Sequence, residues 1–136
     1  ESDSAAAAFA AEHGPSAASM AFRVRDAAAA HRRALELGAT DATALGLGWP
    51  AIEGIGGSLL YLVDRYGDAG SAYEAEFTFE DGWQAKVREA TAHLTYLDHL
   101  THNVHRGRMA FWAEFYERLF NFREIRYFDI EGKVTG

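Results

Sequence analysis

One histidine in this sequence has neighbours that suit a binding pocket. His99 lies in residues 96–104, a short run with apolar residues at both ends that we interpret as a β-strand. Because successive side chains of a strand point to opposite faces, His99 shares a face with Leu97, Thr101 and Asn103, and its neighbours there are mostly polar. Imidazole is a common ligand of iron and other transition metals. The pattern therefore indicates a candidate metal ligand.

The residues alone leave a second interpretation of His99 open, because a single histidine on a strand more often has a structural role. His102 is three positions further on, a spacing that converges on a helix but points to opposite faces of a strand. Asp98 is likewise expected on the opposite face, as a local ion-pairing residue. No catalytic acid or base can be assigned from the pattern.

The strand that carries His99 is predicted to open a β-α-β unit. Apolar residues in 108–120 recur at spacings of three and four, which is typical of one face of a helix. Gly107 is expected at the entry of this helix and Asn121 at its exit. The aromatic and β-branched residues of 122–130 predict a second strand.

The first part of the chain is predicted to repeat the same order of a strand, a helix and further strands. Asp26 is placed to cap the helix and Gly38 to end it. The predicted elements are a helix at 2–12, a strand at 19–24, a helix at 27–37, and strands at 51–55, 58–65 and 77–79.

Composition excludes several classes of function. The chain of 136 residues has 13 basic and 20 acidic side chains, a net charge of −7, so we expect no nucleic acid as a partner. It has no cysteine, which excludes disulfides and thiolate chemistry. No apolar run reaches the length of a membrane span and no signal segment opens the chain. We expect a soluble cytoplasmic protein without a membrane partner.

Three stretches resemble a known family. Residues 98–136 read DHLTHNVHRGRMAFWAEFYERLFNFREIRYFDIEGKVTG, 13–39 read HGPSAASMAFRVRDAAAAHRRALELGA, and 50–67 read PAIEGIGGSLLYLVDRYG. In this order they resemble the 4-hydroxyphenylpyruvate dioxygenase family, and they are most similar to its proteobacterial form. The resemblance covers most of the chain.

The resemblance implies an α+β fold of the vicinal-oxygen-chelate, or glyoxalase-like, type. This fold is built from paired βαβββ modules, and the pairing is expected to be incomplete in this chain. Residues 1–80 are expected to form the second module of an amino-terminal domain, 81–95 a linker with a helical turn, and 96–136 the first βαβ unit of a catalytic domain.

The resemblance also implies an iron-dependent oxidoreductase of tyrosine catabolism, which converts 4-hydroxyphenylpyruvate and O2 to homogentisate and CO2. It makes His99 the first ligand of Fe(II) in a triad of two histidines and one carboxylate. The other two ligands are expected after Gly136. Their upstream counterparts, Ser19 and Tyr61, are poor iron ligands, so this chain alone is expected to be inactive.

Two alternatives stay open at this point. One is an enzyme similar to hydroxymandelate synthase, which uses the same substrate and metal. The other is a non-catalytic module that assembles through exposed sheet edges, since unpaired edges favour pairing with another chain. In either case we expect a homo-oligomer, with a symmetric dimer as the simplest form.

Overall fold

The computed structural model describes residues 4–89 and 96–126. These residues form two compact units, 4–64 with 103–126 and 65–89 with 96–102. The α-helices and strands are, in chain order, α1 (Ala5–His13), β1 (Ser19–Arg23), α2 (Ala27–Glu36), β2 (Ala51–Glu53), β3 (Leu59–Val63), α3 (Ala72–Glu76), α4 (Trp83–Glu89) and α5 (Met109–Phe120).

The sheet of the first unit has the strand order β1-β3-β2. β1 is parallel to β3, with Ser19 opposite Leu59, and β2 is antiparallel to β3. A bridge between Asp41 and Ile52 adds a short fourth segment beside β2. Counted with this bridge, the chain runs β-α-β-β-β, which is the module predicted for its first part.

The position of the fourth segment differs from the prediction. Residues 77–79 form no strand, and residues 40–42 take that place instead. Their backbone hydrogen bonds run from Ala42 N to Ala51 O (2.9 Å) and from Glu53 N to Thr40 O (3.0 Å). A segment this short has no detectable alternation of apolar and polar residues. Its pairing depends on the position of β2, which the local sequence does not encode.

Capping residues set the ends of α2, as predicted. Asp26 Oδ1 accepts a hydrogen bond from Ala29 N at 2.8 Å, and Asp64 Oδ2 accepts one from Ala27 N at 2.9 Å. Gly38 follows α2 with φ +88°, a conformation that glycine adopts without strain. Ser4 caps α1 in the same way as Asp26 caps α2.

The main core lies on one face of the sheet. Ile52 and Leu60 are almost completely buried there, together with Ala34 of α2 and Phe115 of α5. Both helices therefore cover the same face. Around these residues pack the partly buried side chains Met20, Phe22, Leu35, Ala39, Trp112, Tyr116, Leu119 and Phe120. Removing this apolar surface from water is the main driving force for the packing.

The opposite face of the sheet has a smaller core. Ala42, Ala51 and Leu59 are buried there, and Ala5 of α1 and Tyr61 pack against them. The alternate residues of β1, by contrast, are exposed to solvent on this side. This face is therefore covered only in part within the described unit.

The predicted helix after His99 is confirmed, but the strand predicted before it is not. α5 begins after a turn in which Gly107 has φ +77°, and it ends at Asn121, whose φ is 58°. Residues 96–104 belong to no regular element. A strand needs a hydrogen-bonded neighbour, and no described strand pairs with this segment.

The strand predicted at 122–130 is absent from its described part, 122–126, and its remaining residues lie outside the described range.

The predicted linker, 81–95, includes α4. The ring of Trp83 in this helix stacks on the ring of Phe79, with 4.5 Å between the ring centres. Residues 90–95 also lie outside the described range, and the domain boundaries stay a prediction. No helix in the described part of the chain could span a membrane.

We expect Phe115→Ala to destabilise the first unit strongly. The side chain is 7% exposed, and loss of a buried phenylalanine costs about 3–5 kcal/mol of unfolding free energy. Phe111, on the same helix, is 46% exposed and serves as the matched control, with an expected loss below about 1 kcal/mol for Phe111→Ala. Urea denaturation followed by circular dichroism measures both. Equal losses would contradict the assigned core.

Asp41 gives the fold a pH dependence. The backbone N–H of Thr43, the hydroxyl of Thr43 and the nearby His31 ring lower the pKa of this carboxyl group. A lowered pKa in the folded state stabilises the fold above the unfolded value of about 3.9, and this contribution is lost as the pH falls through the folded value. We therefore expect the stability of the wild type to fall faster than that of Asp41→Asn below about pH 4. Urea midpoints from pH 7 to pH 3 test this, and parallel curves would refute it.

Candidate functional site

His99 lies in the second unit, in a segment without regular secondary structure. Its side chain is 75% exposed. Nδ1 of the ring is 2.6 Å from Oδ2 of Asp98, the preceding residue. The ring therefore has one nitrogen engaged by a carboxylate and a second nitrogen, Nε2, directed elsewhere.

This arrangement fits a single metal ligand. Metal-binding histidines commonly use one ring nitrogen for the metal and hydrogen-bond a carboxylate with the other. Asp98 occupies Nδ1, so Nε2 is the nitrogen available to a metal. Within residues 4–89 and 96–126, however, no group of three His, Cys, Asp or Glu side chains could hold a metal ion. A complete triad thus needs two ligands in addition to His99.

The contact between Asp98 and His99 corrects the prediction that their side chains point to opposite faces. That prediction assumed a strand, in which adjacent side chains must diverge. In the irregular segment observed, adjacent side chains can meet. The adjacent aspartate and histidine are evident in the sequence, but the strand assignment concealed their contact. Thr101 is exposed in the same segment, whereas Asn103 belongs to the other unit.

Ser19 and Tyr61 lie on neighbouring strands of the first unit, and their side chains share one face of the sheet. The hydroxyl of Tyr61 accepts a hydrogen bond from Leu47 N at 3.2 Å. The same ring packs so closely on Gly46 that a Cβ there would come within 2.5 Å of the hydroxyl oxygen. Tyr61 thus fixes the loop before β2, which is a structural role.

A second contact between a histidine and an aspartate lies in the first unit. Nε2 of His31 is 3.0 Å from Oδ1 of Asp41 and 3.2 Å from the carbonyl oxygen of Ala51. The His31 side chain is only 15% exposed. Because this pair uses Nε2 and joins α2 to the segment beside β2, it stabilises the fold and does not resemble a metal ligand.

The βαβββ order and the mixed sheet place the chain in the glyoxalase-like, vicinal-oxygen-chelate class, with an α+β fold. A family model described as "Hydroxyphenylpyruvate dioxygenase, HPPD, N-terminal" matches residues 1–78. The chain belongs to this family. The resemblance of the sequence is confirmed by this match.

Similar proteins extend the match beyond residue 78. The chain is 56% identical to 4-hydroxyphenylpyruvate dioxygenase of Pseudomonas sp. strain P.J. 874 over all of its own length and 39% of the relative's. The chain therefore spans about two fifths of that relative. Among solved structures, a fusion of a xylose isomerase-like TIM barrel with 4-hydroxyphenylpyruvate dioxygenase is similar to this chain. The similar region covers 89% of this chain and 19% of the fusion protein, with a TM-score of 0.64 and 30% sequence identity.

A mutant of 4-hydroxymandelate synthase from Streptomyces coelicolor is also similar in structure. The similar region covers 88% of this chain and 33% of the synthase chain, with a TM-score of 0.56 and 21% sequence identity. At this identity the likeness shows a shared fold and carries no information about activity.

Proposed function

We propose that this chain is part of a non-haem Fe(II) dioxygenase that converts 4-hydroxyphenylpyruvate and O2 to homogentisate and CO2 in tyrosine catabolism. The observation that carries the proposal is the 56% identity to a 4-hydroxyphenylpyruvate dioxygenase along the whole chain. The predicted cytoplasmic location belongs to the same proposal.

In this proposal His99 is an iron ligand, and Nε2 is the ligand atom. Its support is the geometry at the ring, where Asp98 engages Nδ1. Iron held by two histidines and a carboxylate has open positions at which a 2-oxo acid and dioxygen can bind. Residues 1–80 act as a scaffold module, 81–95 as a linker, and 96–136 as the start of the catalytic domain.

A hybrid protein tests the proposal directly. In the hybrid, this chain replaces the matching 39% of the Pseudomonas relative, so that the remaining part of the relative supplies the rest of the enzyme. We expect the hybrid to consume O2 and to form homogentisate from 4-hydroxyphenylpyruvate. His99→Ala should lower kcat/KM at least about 100-fold, since even groups that only orient a metal ligand contribute about 10–100-fold.

The matched control is His105→Ala, which removes another imidazole a few residues away. This variant is expected to keep the activity of the hybrid. Circular dichroism of each hybrid shows whether the fold is intact. A folded hybrid that forms no homogentisate, or one in which His99→Ala is as active as His105→Ala, would refute the assigned role.

A hydroxymandelate synthase-like activity is the alternative within the enzyme class. A second hybrid, with the remaining part of the Streptomyces coelicolor enzyme, separates the two. We expect only the dioxygenase hybrid to be active, because interfaces within a domain require complementary packing and the identity to the synthase is only 21%. Activity in the synthase hybrid alone would favour the alternative.

One feature favours assembly of the chain with a second copy. β1 is the outer strand of the sheet, and its bonds to β3 use the carbonyl of Ala18 and the N–H of Val24. In a parallel pair such bonds alternate, so the N–H and C=O groups of Ser19 and Ala21 point away from β3. Both residues are exposed. We propose that this edge pairs with the same edge of a second chain.

Ala21→Pro tests the edge, because proline removes the outward N–H and leaves the bonds to β3 in place. We expect the wild type to be a dimer by analytical ultracentrifugation and Ala21→Pro to be a monomer with an unchanged circular dichroism spectrum. Ala21→Thr keeps the N–H and should remain dimeric. A monomeric wild type, or a dimeric Ala21→Pro, would rule out pairing through β1.

A further inference from the structure

We propose that α1 is a detachable cover of the smaller core: it opens while the sheet stays folded, and His13 is the hook that holds it closed. In the closed form, α1 lies against the face of the sheet that carries Ala51 and Leu59. Opening would uncover that face. The inference concerns a conformational change of the first unit and is independent of the proposed reaction.

α1 is attached to the unit by little apolar contact. None of the described residues of this helix, Ala5–His13, is buried, and Ala5 is partly buried against the smaller core. α2 and α5, by contrast, contribute the buried side chains of Ala34 and Phe115 to the main core. Because burial of apolar surface is the main source of packing energy, α1 should be released more easily than α2 or α5.

The last residue of α1 is held by a polar contact. Nε2 of His13 is 2.9 Å from the carbonyl oxygen of Gly56, and since a carbonyl oxygen only accepts, the ring nitrogen donates this hydrogen bond. Gly56 lies in the turn between β2 and β3, with φ +62°. The centre of the His13 ring is also 4.4 Å from that of Phe9, one helical turn earlier. His13 thus ties the end of the helix to the turn between the two strands.

The two attachment points place α1 across the smaller core. Ala5 and His13 are the first and last residues of the helix and lie about 12 Å apart along its axis. On the same face of the sheet, Ser19 and Ala21 of β1 are exposed, and Ser19 is opposite Leu59. Release of α1 would therefore join the covered and the exposed parts into one continuous open face.

The length of α1 allows its release to be detected. An isolated helix of nine residues is not stable in water, so α1 should unfold when it leaves the sheet. Its amide hydrogens, such as that of Gly14 bonded to the carbonyl of Ala10, would then exchange with solvent. The amide of Leu62, bonded to the carbonyl of Pro50, should exchange only when the sheet itself opens.

Hydrogen exchange of the whole chain, measured residue by residue by NMR, tests the proposal. The proteins compared are the wild type, His13→Phe and His13→Gln. Phenylalanine has nearly the same helix propensity as histidine and keeps a ring beside Phe9, but its side chain cannot donate a hydrogen bond to Gly56. Glutamine keeps an N–H donor on its side chain and serves as the matched control.

In the wild type we expect the amides of α1 to be protected at least about 100-fold less than the amide of Leu62. His13→Phe should lower the protection of α1 by a further factor of about 3–10, the net effect of one hydrogen bond, and leave that of Leu62 unchanged. His13→Gln should stay within about twofold of the wild type. Equal protection of α1 and Leu62 in the wild type, or equal protection of α1 in all three proteins, would overturn the proposal.

Thiol labelling shows whether the release of α1 uncovers the sheet. The chain has no cysteine, so Ala51→Cys places a single thiol in the smaller core and Ala34→Cys places one in the main core. The two alanines are 0% and 5% exposed, so neither thiol should react in the closed form. We expect the thiol at position 51 to react at least about tenfold faster than that at position 34, and His13→Phe to accelerate the reaction at position 51 alone. If position 51 reacts no faster than position 34, α1 is not a cover of this face.

Discussion

Burial of the apolar stripe of α5 against the sheet is the interaction on which the first unit depends. The strands are only three to five residues long, and so small a sheet is not stable without packing on one of its faces. α2 and α5 supply that packing together. The rings of Phe22 and Phe120 stack at 4.3 Å, which joins the first strand to a helix far along the chain. This packing therefore joins distant parts of the sequence.

The same packing explains why the two faces of the sheet differ. Among the described residues, one face is covered by two helices, whereas the other has the small core around Ala51 and Leu59, with α1 beside it. The alternate residues of β1 are exposed to solvent on this less covered face.

Two aspartate–histidine pairs in the chain show how position decides the role of identical groups. In the pair at His31 the histidine is mostly buried, and its Nε2 joins two elements, so the pair contributes to the fold. The pair at His99 is exposed, so its contribution to stability is small. The same residue types thus contribute to the fold to different degrees.

Local spacing in the sequence was enough to predict the cap Asp26, the helix α5 with its entry at Gly107, and the family. The motifs that resemble the family also identified His99 as the candidate metal ligand. Only the tertiary structure decided that residues 40–42, and not 77–79, complete the sheet, and that 96–104 form no strand among the described residues. A cap needs only residues within one turn, whereas a strand exists only when a distant segment supplies its hydrogen bonds.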